Sequence, residues 1–210
     1  MVTETIILVH GLWMTGYEMS LLKRRLRSRG YTVHQFRYRM VTRDLAHNRD
    51  RLRDFIARQQ TDKVHLIGHS LGGVLALQTL RKYPELHVGR VVCLGSPLVD
   101  SQAGRRVAKF VAGRAIIGKT LPQALFESPL NEWTGAQEVG VIAGTRSFGL
   151  GRVVGGVPVP NDGMVAVAET QLPGIIDHIT VWVGHAVLVL APEVAVQAAW
   201  FIRHGKFRRG

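Results

Sequence analysis

The sequence predicts an α/β domain with a mostly parallel central sheet and helices on both faces. Short apolar runs of strand length recur between longer stretches of helical periodicity, the alternation that βαβ units produce. The run at 5–9 is nearly continuous in apolar character, as expected of a strand covered on both sides. The 210 residues fit one unit spanning 1–210, since a domain holds roughly 100–200 residues.

The first such run is Thr5–Val9. Residues 17–29 follow as a helix, with Tyr17, Leu21, Leu22 and Leu26 on one stripe and basic residues on the other. Residues 32–36 are a second strand. Residues 45–59 form a helix that sets Leu45, Leu52, Phe55 and Ile56 among charged neighbours. Residues 64–67 give a third strand, and 71–83 a helix stopped by Pro84. Strands are expected over 88–94, 139–143 and 179–183. A last helix starts at Pro192, a favoured first-turn residue, behind the poor N-cap Ala191, and ends at Gly205.

Two stretches break this rhythm. Residues 98–135 contain an amphipathic piece, 102–117, expected as a small lid in a chain with no room for a large cap. Residues 144–161 are rich in Gly and Pro. Long irregular stretches in a domain of this size are usually functional loops.

Composition excludes several classes. With 46% hydrophobic and 20% charged residues the chain is neither disordered nor fibrous. A lone cysteine, Cys93, leaves no disulfide framework and no cysteine-rich zinc site. The net charge of +12 favours an anionic partner, and peripheral contact with an anionic membrane surface is one expectation. Nucleic acid is not expected, because the basic runs at 23–29, 105–109 and 203–209 lack the interleaved aromatics of a stacking platform. The first residues carry no basic leader, and no apolar run nears the roughly 20 residues of a membrane span. A cytoplasmic protein is therefore expected.

The chemistry concentrates in two motifs. Gly68-His69-Ser70-Leu71-Gly72 follows a strand and opens a helix, the context that a G-x-S-x-G nucleophile elbow requires. A sharp strand-to-helix turn lifts Ser70 toward solvent at a helix N-terminus, where positive charge favours a developing anion. His10-Gly11-Leu12 follows the first strand, where backbone N–H groups of a loop can face a reacting carbonyl. The Leu12 and Leu71 amides are the expected oxyanion donors, with His10 bracing the loop.

These motifs, in their strand contexts, resemble the α/β-hydrolase superfamily, in particular its small lipase- or esterase-like bacterial members. The resemblance implies the chain order nucleophile, acid, histidine. Asp162, in Pro160-Asn-Asp-Gly-Met-Val165, resembles the aspartate segment of lipases, with Asp100 the alternative. His185, after the last strand, stands where the family places its histidine, with His178 the outside candidate.

The expected activity is a serine hydrolase that cleaves carboxylic esters of small molecules or lipids through an acyl-enzyme. Thioester or acyl-transfer chemistry on the same groups is the alternative, as is a non-catalytic acyl- or membrane-binding member. Trp13 and Met14 either line the acyl pocket or join the core. No cofactor and no metal are expected.

Overall fold

A computed structural model describes residues 4–61, 63–102, 104–105, 118–147 and 157–209. Ten main elements follow in chain order: β1 (Glu4–Val9), α1 (Ser20–Arg27), β2 (Thr32–Phe36), α2 (Leu45–Ala57), β3 (Lys63–His69), α3 (Leu71–Lys82), β4 (Val88–Leu94), β5 (Glu138–Gly144), β6 (Asp177–Val181) and α4 (Pro192–His204).

The six strands form one sheet in the order β2-β1-β3-β4-β5-β6, and every neighbouring pair is parallel. Period-two alternation sends Ile7 and Val9 of β1 to one face, with the apolar sides of α2 and α3. Ile6 and Leu8 go to the other face, with α1 and α4. β4 repeats the division, with Val91 and Cys93 on the first side and Val92 and Leu94 on the second. Both faces are thus covered, which is why β1 reads as an almost unbroken apolar run.

The chain lays β2 on one side of β1 and then returns to lay β3 on the other. At such a reversal the connections after the two central strands diverge and leave a crevice at the carboxyl end of the sheet. His10-Gly11-Leu12 leaves β1 there, and His69-Ser70 leaves β3.

Several boundaries differ from expectation by one or two residues. The first helix opens as a tight turn, Tyr17–Met19, before α1 proper. The second ends at Ala57. The sixth strand is Asp177–Val181 rather than 179–183, so His178 lies inside β6, opposite Val141, and not before it. The apolar pair Trp182-Val183 extends the run in sequence, but the chain has already turned there: the Val183 amide donates to the Val181 carbonyl. Gly205 closes α4 in a left-handed conformation, as its cap position requires. Most of the expected lid, 102–117, and much of the Gly/Pro-rich stretch 144–161 lie outside the described residues.

Buried histidines mark the sheet. His65, in the middle of β3, is fully buried, and its Nδ1 accepts the Arg90 amide N–H at 3.0 Å. Glu4 Oε1, at 3.8 Å from Nε2, is beyond hydrogen-bond reach. Burial, with Lys63 and Arg90 adding positive charge, pulls its pKa down to about 4. Burial likewise lowers His10 and His178. A lowered folded-state pKa means that the unfolded chain binds the extra proton, so this stability is complete above about pH 6.5 and drains away as pH falls. Urea midpoints should therefore drop between pH 7 and pH 4.5. His65→Asn, which keeps an acceptor for Arg90, should reduce the slope of stability against pH by up to about 1.4 kcal/mol per unit in that window. An unchanged slope would show that His65 is already charged in the folded protein.

Candidate active site

The elbow is built from backbone strain. Ser70 has φ 53° and ψ −125°, a left-sided conformation that a residue with a Cβ rarely holds. Its amide donates to the Leu94 carbonyl of β4 at 2.8 Å, which fixes the turn from the neighbouring strand. The first turn of α3 then presses on the end of β1: a Cβ on Gly72 would lie 2.1 Å from the Val9 carbonyl oxygen. Only glycine allows that approach.

The loop after β1 arrives at the same place. A Cβ on Gly11 would meet Ser70 Cβ at 2.9 Å, so the two motifs touch. Leu12 follows directly. Leu71 is the first residue of α3, so its N–H has no partner within the helix. Behind the loop His10 is buried, its carbonyl accepts the Tyr38 hydroxyl at 2.9 Å, and its ring packs on the Tyr38 ring at 4.6 Å. It serves as a brace.

Asp162 and His185 are brought together. The His185 Nδ1–H donates to Asp162 Oδ2 at 2.7 Å, and the His185 amide donates to the Asp162 carbonyl at 2.9 Å. The second carboxylate oxygen of Asp162 accepts the amides of Met164 and Val165 at 2.9 and 2.8 Å. The carboxylate is buried and both oxygens are occupied, so its orientation is fixed. With Nδ1 protonated, His185 has Nε2 left as an acceptor. No hydrogen bond joins the Ser70 hydroxyl to His185 among the described residues; such bonds often tighten only with substrate. Of the alternatives, Asp100 pairs with Arg105, and His178 Nε2 lies 2.8 Å from the Thr170 hydroxyl. Neither touches the Asp162–His185 pair.

Three residues with no role assigned from sequence support this pair. His69, next to Ser70 in the elbow, donates from Nε2 to the His185 carbonyl at 3.0 Å, and its ring lies 4.7 Å from that of His185. Burial, reinforced by the nearby His185 ring, holds its pKa down at about 3, so it stays a neutral donor. Gly95, after β4, has φ 54°, and a Cβ there would meet Asp162 Oδ2 at 2.9 Å and His185 Nδ1 at 3.3 Å. Glu169 is buried and accepts the Gln102 amide at 2.6 Å and the Ala166 amide at 2.8 Å, while its carbonyl takes the Leu98 amide. It ties the chain leaving β4 to the loop that carries Asp162, and burial raises its pKa. A sequence offers only faint signals for these: a variable motif position, a Gly-Ser-Pro after a strand, and an acid among nine downstream of Ser70.

Trp13 does not join the core: it is 48% exposed, with φ 59°. Met14 is half-buried, its sulfur 3.3 Å from His69 Nδ1. Among the described residues no cluster of His, Cys, Asp and Glu is suited to a metal ion, and no helix is long and apolar enough to cross a membrane.

A family model described as the alpha/beta hydrolase family matches residues 6–198, which include the elbow, Asp162 and His185. The chain belongs to the alpha/beta hydrolase family. Among solved hydrolases of this fold, the mature Bacillus licheniformis lipase BlEst2 superposes with a TM-score of 0.70 at 17% identity, over 96% of this chain and 91% of that one. A Yersinia enterocolitica relative provisionally named carbamate hydrolase RutD is 40% identical over 62 residues, 29% of this chain and 22% of that protein. A Cyberlindnera fabianii relative provisionally named alcohol acetyltransferase is 30% identical over 100 residues, 46% of this chain and 25% of that protein. These alignments span about a quarter or less of each relative's length.

The His69 contact is open to a direct check. His69→Phe removes the donor to the carbonyl of the half-buried His185 and should cost about 1 kcal/mol of stability. The His185 ring resonances should shift in the same variant. His69→Gln, which places an amide N–H where Nε2 stood, should restore both. Equal loss in the two variants, by urea melts and NMR, would reduce His69 to a space-filling role.

Proposed function

We propose that this member of the family hydrolyses carboxylic esters, with Ser70 as nucleophile, His185 as base and acid, and Asp162 orienting the imidazole. The observation that carries the reading is the Asp162–His185 hydrogen bond of 2.7 Å at the same sheet edge as the strained Ser70 elbow. In this mechanism His185 Nε2 takes the Ser70 hydroxyl proton as Oγ bonds to the ester carbonyl carbon. The carbonyl oxygen becomes an oxyanion held by the Leu12 and Leu71 amides. The tetrahedral species collapses, the ester C–O bond breaks, and His185 gives its proton to the departing alkoxide. Water repeats the sequence on the acyl-enzyme, yielding the free acid and Ser70.

The relative named for alcohol acetylation supports a second fate for the acyl-enzyme, capture by an alcohol in place of water. Product analysis at high alcohol concentration separates the two: ester product in excess of free acid would mark transfer.

Ser70→Ala should lower hydrolysis of p-nitrophenyl butyrate by at least about a thousandfold, and His185→Ala by a similar factor, with the far-UV CD spectrum unchanged. Wild-type protein should also take up a serine-directed phosphonate that the Ser70→Ala variant does not. Near-normal turnover in Ser70→Ala would remove Ser70 from the reaction.

We also propose that this sheet edge rests against anionic lipid. In the segments that follow β1, β2 and β6, Tyr17, Val41, Trp182, Val187 and Leu190 are exposed, with Arg37 stacked 4.2 Å over Tyr17 and Arg146 4.8 Å over Trp182. Aromatic rings flanked by cations suit a headgroup boundary. Vesicles containing phosphatidylglycerol should bind the protein more than pure phosphatidylcholine vesicles, less at high salt and less after Trp182→Ala. Equal binding to both vesicle types would remove the anionic component.

A further inference from the structure

A groove of about 370 Å³ opens beside the elbow, lined by Trp13, Met14, Tyr38, Arg39, Met40 and Val41, with Thr42 at its rim. On its Met14 side it approaches the candidate chemistry. Met14 touches His69, which contacts His185, and Gly11, two residues before Trp13, lies against Ser70.

The walls are held in place from behind. The Lys119 amide donates to the Val41 carbonyl and the Thr120 amide to the Met40 carbonyl, each at 3.2 Å. The Asn48 side chain donates to the Arg39 carbonyl at 3.2 Å and to the Thr120 hydroxyl at 2.8 Å. The 38–42 segment is therefore a fixed wall, with Met40 and Tyr38 turned inward and Arg39 outward.

The groove's charge is one-sided. None of its lining residues is acidic, and among the described residues no carboxylate pairs with Arg39. The acids closest in sequence to the two lining segments, 13–14 and 38–42, are held by backbone amides. Glu18 accepts the Thr15 and Gly16 amides, and Asp44 accepts the His47 amide as the cap of α2. Arg37, two residues away, is stacked on Tyr17. An open, mostly apolar groove whose wall carries a guanidinium with no ion-pair partner among the described residues suits a ligand with an apolar body and an anionic tip, and a carboxylate matches the two-pronged donor geometry of arginine.

We infer that this groove is an acyl subsite selecting esters whose acyl chain ends in a carboxylate, with Arg39 reading that distal charge. The assignment rests on the ester-hydrolase reading above. The leaving oxygen must sit at His185, which protonates it, on the turn 185–189. The groove is walled by the opposite flank, residues 13–14 and 38–42, so the part of the ester lying in it is the acyl part. Selectivity for the distal charge then comes from one exposed arginine, which sets its size at a few-fold rather than many decades.

The test compares acyl chains of equal length with and without the terminal charge: mono-p-nitrophenyl adipate, suberate and sebacate against p-nitrophenyl hexanoate, octanoate and decanoate. At one length the charged ester should have the higher kcat/KM by about fivefold. That ratio should fall toward one in Arg39→Gln, stay high in Arg39→Lys, and shrink as salt is raised. Trp13→Ala should lower kcat/KM for both members of each pair while leaving their ratio. Neutral esters preferred at every length, or a preference unchanged in Arg39→Gln, overturns the assignment. If no ester is turned over, calorimetric titration with monomethyl suberate and methyl octanoate separates the two ideas. Tighter binding of the charged compound, weakened in Arg39→Gln, keeps the groove and rejects ester hydrolysis. Equal or absent binding rejects the groove.

Discussion

The hinge on which the site depends is the contact between the first turn of α3 and the carboxyl end of β1. Gly72 lets the helix sit against the Val9 carbonyl, and the Leu94 carbonyl of β4 holds the Ser70 amide. Between them these contacts pin a residue whose φ of 53° costs on the order of 1–3 kcal/mol. They succeed because β1, β3 and β4 are adjacent in a sheet buried on both faces, which makes the framework stiffer than the turn it imposes. The loops bearing Gly11 and His185 are then arranged around a fixed point rather than around each other.

Much of this was legible in the residues. The first and third strands stand out because burial on both faces leaves little polar alternation to blur them, and the Gly68–Gly72 motif declares its turn through two glycines at fixed offsets. The pairing of Asp162 with His185 was accessible only through the resemblance to a family, since nothing local marks either residue among the acids and histidines after Ser70. The sixth strand was misplaced by two residues because Trp182 and Val183 prolong its apolar run, while register with β5 is a property of the sheet.

What stayed hidden is tertiary in origin. His69 earns attention only when its ring is seen to bridge the elbow, Met14 and the His185 carbonyl, a junction of segments more than a hundred positions apart in the chain. Glu169 reads as one more surface acid until its buried carboxylate is found fastening the chain after β4 to the aspartate loop. Arg39 sits in a basic stretch whose neighbours, Arg37 and Arg43, look equivalent on paper. Packing separates them, by stacking Arg37 on Tyr17 and leaving Arg39 along the groove.

Cys93 sits near the carboxyl end of β4, fully buried and opposite Gly68 of the elbow, and burial pushes its thiol pKa up to about 12. It is the only thiol in the chain. In the folded protein it is shielded from alkylating and oxidising reagents, and it becomes reactive only when the central strands part. The rate at which a thiol reagent modifies this sulfur thus clocks the opening of the sheet beneath Ser70, without any label having to be introduced.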